Sequence, residues 1–235
     1  VSGALKVLCA GAAKGLVTAL QGRFSGATGA SIEARFGAVG AMQEALLGGA
    51  ACDVMIVTAA MTEALAAAGE LRGETRAELG RVRTGVAVRC GAARPDIASA
   101  AALRVSLLAA DALYFPDPGR ATAGIHFAKV LRELGVHDEL AARCRTFANG
   151  ATAMHELAVA GSARSLGCTQ ITEINYTDGV SLVGPLPDEF ELATVYSAAI
   201  ARRCSRPDLA ERFIALLAGP ESRALRAAGG FEFAD

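Results

Sequence analysis

Apolar positions along this chain fall into short continuous runs, each followed by a cluster of glycine and alanine and then by apolar residues at helical spacing. Val7-Leu8-Cys9 reads as a strand. Leu16, Leu20 and Phe24 recur every fourth residue, which predicts a helix that ends in Ser25-Gly26-Ala27-Thr28-Gly29. Ile32, Ala34 and Phe36 alternate as a second strand. The turn Gly37-Ala38-Val39-Gly40-Ala41 then opens a helix through Met42 and Leu46 that stops at Gly48-Gly49. Val54-Met55-Ile56-Val57 is apolar throughout, as a strand covered on both faces should be, and it runs through Thr58 into a helix ending near Gly69. The order so far is β-α-β-α-β-α, which predicts an open α/β lobe whose strand-to-helix loops gather at one edge.

The same alternation returns further on. Val82 to Cys90 reads as a strand, and Ser99 as the N-cap of a helix through Leu107 and Leu108. Leu113-Tyr114-Phe115 is a strand broken by Pro116-Asp117-Pro118-Gly119, and a helix from Gly124 to Leu134 closes on Gly135 as a left-handed cap. Arg145-Thr146-Phe147 predicts a strand, Asn149-Gly150-Ala151-Thr152 leads a helix stopping at Gly161, and Leu166 to Gln170 is strand-like, ending in Thr172-Glu173. Val180 to Val183 and Thr194 to Ala201 are extended, and helices at 208–217 and 220–228 start at Pro207 and Pro220. Together these give two α/β lobes, each a mixed sheet flanked by helices: 1–81 with 201–235, and 82–200. The strands near 82–90 and 194–200 are expected to be the hinge.

Length and composition allow this. The 235 residues suffice for two modest lobes; hydrophobic residues are 52% and charged ones 20%. A net charge of −1 argues against nucleic acid, and no apolar run is long enough for a membrane span. The N-terminus shows no signal peptide, and Val1-Ser2-Gly3-Ala4 reads as a processed or engineered end, which says little about compartment and leaves a cytoplasmic location open. Cys9, Cys52, Cys90, Cys144, Cys168 and Cys204 show no CxxC spacing and read as small hydrophobes, although an exported chain could pair some of them. His126, His137 and His155 lack metal-ligand spacing, so no metal and no cofactor is expected. Mixed charge without an obvious adhesive face points to a monomer.

No catalytic constellation is present: the chain has no Gly-x-Ser-x-Gly, His-Glu-x-x-His, Walker lysine or Gly-x-Gly-x-x-Gly. What repeats instead is a small-residue turn between strand and helix. Such a junction points backbone N–H groups, at the positive end of a helix dipole, past the end of the strand. Gly11-Ala12-Ala13-Lys14 and Ala38-Val39 are the first candidates for holding an anion, and the pattern points to binding rather than turnover.

The chain resembles the periplasmic solute-binding proteins of the molybdate-binding type, which have the type II binding-protein fold and feed ABC transporters. The resemblance rests on Val7-Leu8-Cys9-Ala10-Gly11-Ala12-Ala13-Lys14, Phe36-Gly37-Ala38-Val39-Gly40-Ala41 and Cys52-Asp53-Val54-Met55-Ile56. It continues through Asp117-Pro118, Ala123-Gly124, Val183-Gly184-Pro185-Leu186-Pro187, Phe213 to Leu217 and Pro220-Glu221. That family grips its oxyanion with two serine hydroxyls, backbone N–H groups and a tyrosine. Aligned by eye, the serines fall on Ala12 and Val39, the backbone donors on Ala123 and Gly150, and the tyrosine on or next to Gln170. With the hydroxyls gone, the resemblance implies a roomier, more apolar pocket for a small organic anion. Thr58, Thr122, Asn149, Thr169 and Gln170 are then candidate polar contacts, and Lys14 and Arg120 could meet a carboxylate. Glu173 either accepts a hydrogen bond from the ligand or caps the Thr172 turn, and Tyr196 is hinge packing.

The resemblance further implies a periplasmic location, an ABC permease and its ATPase as partners, and a ligand held in the cleft between lobes by hinge closure. Gly150→Trp should then abolish binding without unfolding the protein. Two alternatives use the same scaffold. One is an enzyme or cytoplasmic sensor for a small carboxylate, with Lys14, His126 and Glu173 as acid or base; the other binds molybdate or tungstate through backbone donors alone.

Overall fold

The computed structural model describes residues 3–233; Val1 and Ser2, part of the suggested processed end, lie outside the described residues, as do Ala234 and Asp235. The chain divides into two compact units, residues 1–82 with 194–235, and residues 83–193.

The first unit opens with β1 (Leu5–Ala10), α1 (Lys14–Thr28), β2 (Ile32–Gly37), α2 (Val39–Leu47), β3 (Val54–Thr58) and α3 (Ala59–Ala67). Next come the leading half of β4 (Leu71–Arg89) and, after the chain returns, most of β9 (Ala193–Ala201), α9 (Pro207–Ala218) and α10 (Arg223–Gly229). Its strands lie in the order β2-β1-β3-β9-β4. The first three are parallel, with Ala10 beside Gly37 and Cys9 beside Ile56, whereas β9 runs antiparallel to β3 with Tyr196 opposite Thr58. Leu5, Cys9, Val54 to Val57 and Ala198 to Ile200 are all buried, because helices cover both faces of this sheet. Phe24 of α1 and Phe213 of α9 meet edge to face at 5.2 Å, joining the first helix to the returning segment.

The second unit continues β4 and adds α4 (Ala100–Ala109), β5 (Leu113–Pro116), α5 (Thr122–Glu133), α6 (His137–Leu140), β6 (Cys144–Phe147), α7 (Gly150–Ala158), β7 (Leu166–Gln170), α8 (Ile171–Asn175) and β8 (Val180–Pro185). β5 pairs in parallel with β6 and β7, and β4 pairs antiparallel with both β7 and β8. One face packs Val86, Val88, Phe115 and Cys168 against Leu103, Leu107, Phe127 and Leu131 of α4 and α5. The other packs Ala87, Ile174 and Val180 with Met154 and Leu157 of α7.

The elements fall close to where the residue pattern put them, but the pattern predicts no helix at α6 or α8, α10 begins at Arg223 after a 3-10 turn, and further placements differ. Strand β4 begins at Leu71 rather than Val82: its leading half is charged and half exposed, and is held by its neighbours, with the Thr75 hydroxyl accepting from the Ile200 N–H at 2.9 Å. The helix expected from Gly124 starts at Thr122. Residues 194–200, expected in the second lobe, belong with the first unit, because Tyr196–Ile200 are laddered to Val54–Thr58. Burial pushes the Cys52 thiol up to about 12, and Cys9 and Cys168 are likewise buried. Cys90 is exposed, and all six cysteines are free. Among the described residues, no three histidine, cysteine or acidic side chains gather into a metal site, and no helix is long and apolar enough to cross a membrane.

Candidate functional site

In the first unit, parallel pairing brings the carboxyl ends of β2, β1 and β3 level, so the turns that follow them open at one sheet edge. After β1, Ala10 is extended and the chain enters a 3-10 turn, Gly11–Ala13, that runs directly into α1. No side chain accepts a hydrogen bond from these first amides, and Ala12 and Ala13 are buried. The turn after β2 repeats this: Ala38 precedes α2 in extended conformation, again with no side-chain cap, and Ala38 and Val39 are buried. The turn after β3 differs. The Thr58 hydroxyl accepts from the Met61 N–H at 3.2 Å and so serves as the N-cap of α3. Tyr196, opposite Thr58, is buried. Lys14 projects into solvent with its Nζ 5.9 Å from the centre of the Phe36 ring.

The second unit has two junctions of contrasting character. The helix α5 starts from Ala121, extended and without a side-chain cap, and its first turn is seated on the end of β5. Gly124 makes that seating possible, since any Cβ there would run into the carbonyl oxygens of Pro116 and Asp117. Ala123 is buried, Thr122 half-buried and Arg120 exposed.

The helix α7, by contrast, is fully engaged from within. The Asn149 carboxamide oxygen accepts from the Thr152 N–H at 2.9 Å and from the Thr152 hydroxyl at 3.0 Å. The buried Glu173 carboxylate lies at the same helix end. It accepts from the Thr169 hydroxyl at 2.5 Å and from the backbone amides of Ala151, Gln170 and Gly150. Burial pushes its pKa above the ordinary carboxylate range, against the pull of those donors. Gly150 leaves room for this, because a Cβ there would overlap Glu173 Oε2 and Thr169 Oγ1.

The geometry therefore revises several expected roles. Glu173 accepts from Thr169 and Gly150 and holds α7 to β7, Asn149 is taken up by Thr152, and Thr58 is occupied as a cap. Gly150→Trp would break that arrangement rather than spare the fold. The Nε2 of His126 hydrogen-bonds the Phe190 carbonyl at 2.7 Å, so the acid or base suggested there is tethered to backbone.

Gln170 is different. It is 2% exposed, and neither Nε2 nor Oε1 has a hydrogen-bond partner. Thr84, its direct ladder partner, and Thr172 are buried with unpaired hydroxyls as well. Sequence reasoning missed these two threonines, because a threonine in a strand or a short helix carries no mark of being unsatisfied.

Two helix ends over parallel strands in the first unit, and one over β5 in the second, thus begin without a side-chain cap, and such ends point backbone N–H groups outward. A family model for bacterial extracellular solute-binding proteins matches residues 5–232, and the chain belongs to that family. Aconitate isomerase from a Pseudomonas species is 26% identical over 171 residues; the match spans 72% of this chain and 63% of that protein's length. The fold is also that of the Azotobacter vinelandii periplasmic molybdate-binding protein (TM-score 0.80, 22% identity, 98% of this chain and 100% of that one). The sulfate-binding protein SubI of Mycobacterium tuberculosis shares it too (TM-score 0.76, 13% identity, 99% and 87%).

Proposed function

We propose that this protein is the solute-binding component of an ABC uptake system and that its solute is a small organic anion. The uncapped amides after Ala121 in the second unit would receive a carboxylate of the anion, those after Ala10 and Ala38 in the first unit have the same local geometry, and a membrane permease with its ATPase would take up the loaded form. One observation carries this reading: helices α3, α4 and α7 start from Thr58, Ser99 and Asn149, whose side chains cap them, whereas these three junctions start from alanine and leave their amides for another acceptor. Ala12 and Val39 are buried and apolar, which favours a ligand with carbon skeleton over a bare tetrahedral oxyanion.

A thermal-shift screen of malate, succinate, citrate and tricarballylate against molybdate and sulfate tests it. Ligand at about 100 times its Kd adds about 2.7 kcal/mol, or about 5–11 °C for a chain of this size. The expected result is a rise with at least one carboxylate and none with molybdate; a rise with the tetrahedral anions alone overturns the proposal.

The isomerase relative favours a second reading, turnover of a small unsaturated carboxylate on the same scaffold. Incubation with cis-aconitate, followed by proton NMR for the trans isomer, decides it: isomer formed above a buffer control supports turnover, and its absence leaves binding.

A further inference from the structure

The unpaired polar pair Gln170 and Thr84 in the second unit says what kind of organic anion this is, an inference that rests on the reading just proposed. Side chains alternate along β7. Thr169 faces α7 and Glu173, whereas Cys168 packs with Phe115 and with Phe127 of α5. Gln170, two residues beyond Cys168, therefore faces the side on which α5 packs, and Thr84 stands opposite it on the same face.

A buried carboxamide and two buried hydroxyls without partners are rare in a folded protein, and each calls for an explanation. The atoms state their requirements. Gln170 Oε1 is an acceptor and needs a donor; Nε2 is a donor and needs an acceptor; each threonine hydroxyl can serve as either. A carboxylate or a fully ionised tetrahedral oxyanion offers acceptors only, so it can meet Nε2 but gives Oε1 no donor. An ammonium group offers donors only and would need a counter-charge. The buried Glu173 carboxylate sits with Thr169, away from this side, and its acceptor sites are taken. A hydroxyl supplies both a donor and an acceptor.

We infer that the ligand is a hydroxycarboxylate, its hydroxyl read by Gln170 with Thr84 and a carboxylate received by the uncapped first turn of α5 at Thr122 and Ala123.

Calorimetric titration with matched pairs tests this: malate against succinate, and citrate against tricarballylate, each pair differing by one hydroxyl, with aspartate as the ammonium arm. The wild-type protein should prefer the hydroxy acid of a pair by about 10–100-fold, the cost of leaving the polar group buried and unpaired. In Gln170→Leu that preference should shrink to within about threefold, through loss of hydroxy-acid affinity and not gain of succinate affinity. Thr84→Val, close to isosteric, should move the same way and decides the matter should Gln170→Leu not fold. Equal binding within both pairs, or a preference that survives both substitutions, overturns the hydroxyl assignment while the organic-anion reading stands. Aspartate binding tighter than malate overturns it in favour of an amine. Binding of molybdate or sulfate with no carboxylate bound overturns both readings together.

Discussion

Gly150 sets two physical effects against each other. As the first residue of α7 it is a helix position where alanine is normally better by up to about 1 kcal/mol. The structure says the opposite will happen. An alanine Cβ would overlap Glu173 Oε2 and Thr169 Oγ1. The carboxylate must then leave three backbone amides and the Thr169 hydroxyl at the positive end of α7. Leaving buried donors without an acceptor costs about 1–3 kcal/mol each, and an uncompensated buried charge about 3–5 kcal/mol, of which relaxation recovers part. We take a net loss of about 3 kcal/mol, which for a chain of this length lowers the melting temperature by about 6–12 °C.

The assay is urea or thermal unfolding of the wild type, Gly150→Ala, Glu173→Ala and the double variant. With Glu173 already removed, the alanine at 150 meets only a rotatable threonine. The double variant should therefore be no less stable than Glu173→Ala alone, with a coupling energy close to the whole Gly150→Ala effect. A Gly150→Ala protein as stable as wild type, or costs that simply add, would refute the reasoning.

Asp53 offers a test in pH. Burial raises its pKa, but donors from the Lys6 amide, the Ser205 amide and hydroxyl, and Cys204 outweigh burial and hold it below the ordinary range. The unfolded chain therefore takes up the proton first, and the stabilisation, present above about pH 4, is lost as pH falls through the depressed native value. Asp53→Asn should show its deficit in urea midpoint at pH 7 and a smaller one at pH 3; an equal deficit at both would count against the assignment. Arg226, almost fully buried, donates to the carbonyls of Leu79, Ala218 and Gly219 and stacks against Phe233. Arg226→Ala should cost about 3 kcal/mol by stranding those carbonyls, whereas Arg212→Ala, with one long exposed bond to the Ala27 carbonyl, should fall within about 0.5 kcal/mol of wild type.

How far the residues announce this structure depends on the range of the interaction. Val54 to Val57 is legible as a strand because a chain covered on both faces must be apolar throughout. Gly135 is legible as a cap because its φ of 65° suits glycine. The leading half of β4, Leu71-Arg72-Gly73-Glu74-Thr75-Arg76, is not legible. It contributes backbone to a ladder more than side chains to a core, so its residues carry no strand period.

The site divides along the same line. The bare junctions at Ala12, Ala38 and Ala123 can be read locally, since a helix end without a side-chain cap is marked by what its residues lack. Glu173 cannot. Its role is set by Gly150, twenty-odd positions earlier, and only the folded chain shows that this carboxylate fills α7 from inside while α5 stays open. That asymmetry predicts which helix matters for ligand. Blocking the α5 amides with Thr122→Pro, which removes one N–H at a first-turn position that accommodates proline, should weaken anion binding at least tenfold with little change in melting temperature. Destabilising α7 through Gly150→Ala should lower the melting temperature and leave the affinity of the folded fraction within about threefold. The reverse pattern would show that α7, not α5, holds the anion, and that Glu173 yields its place to the solute.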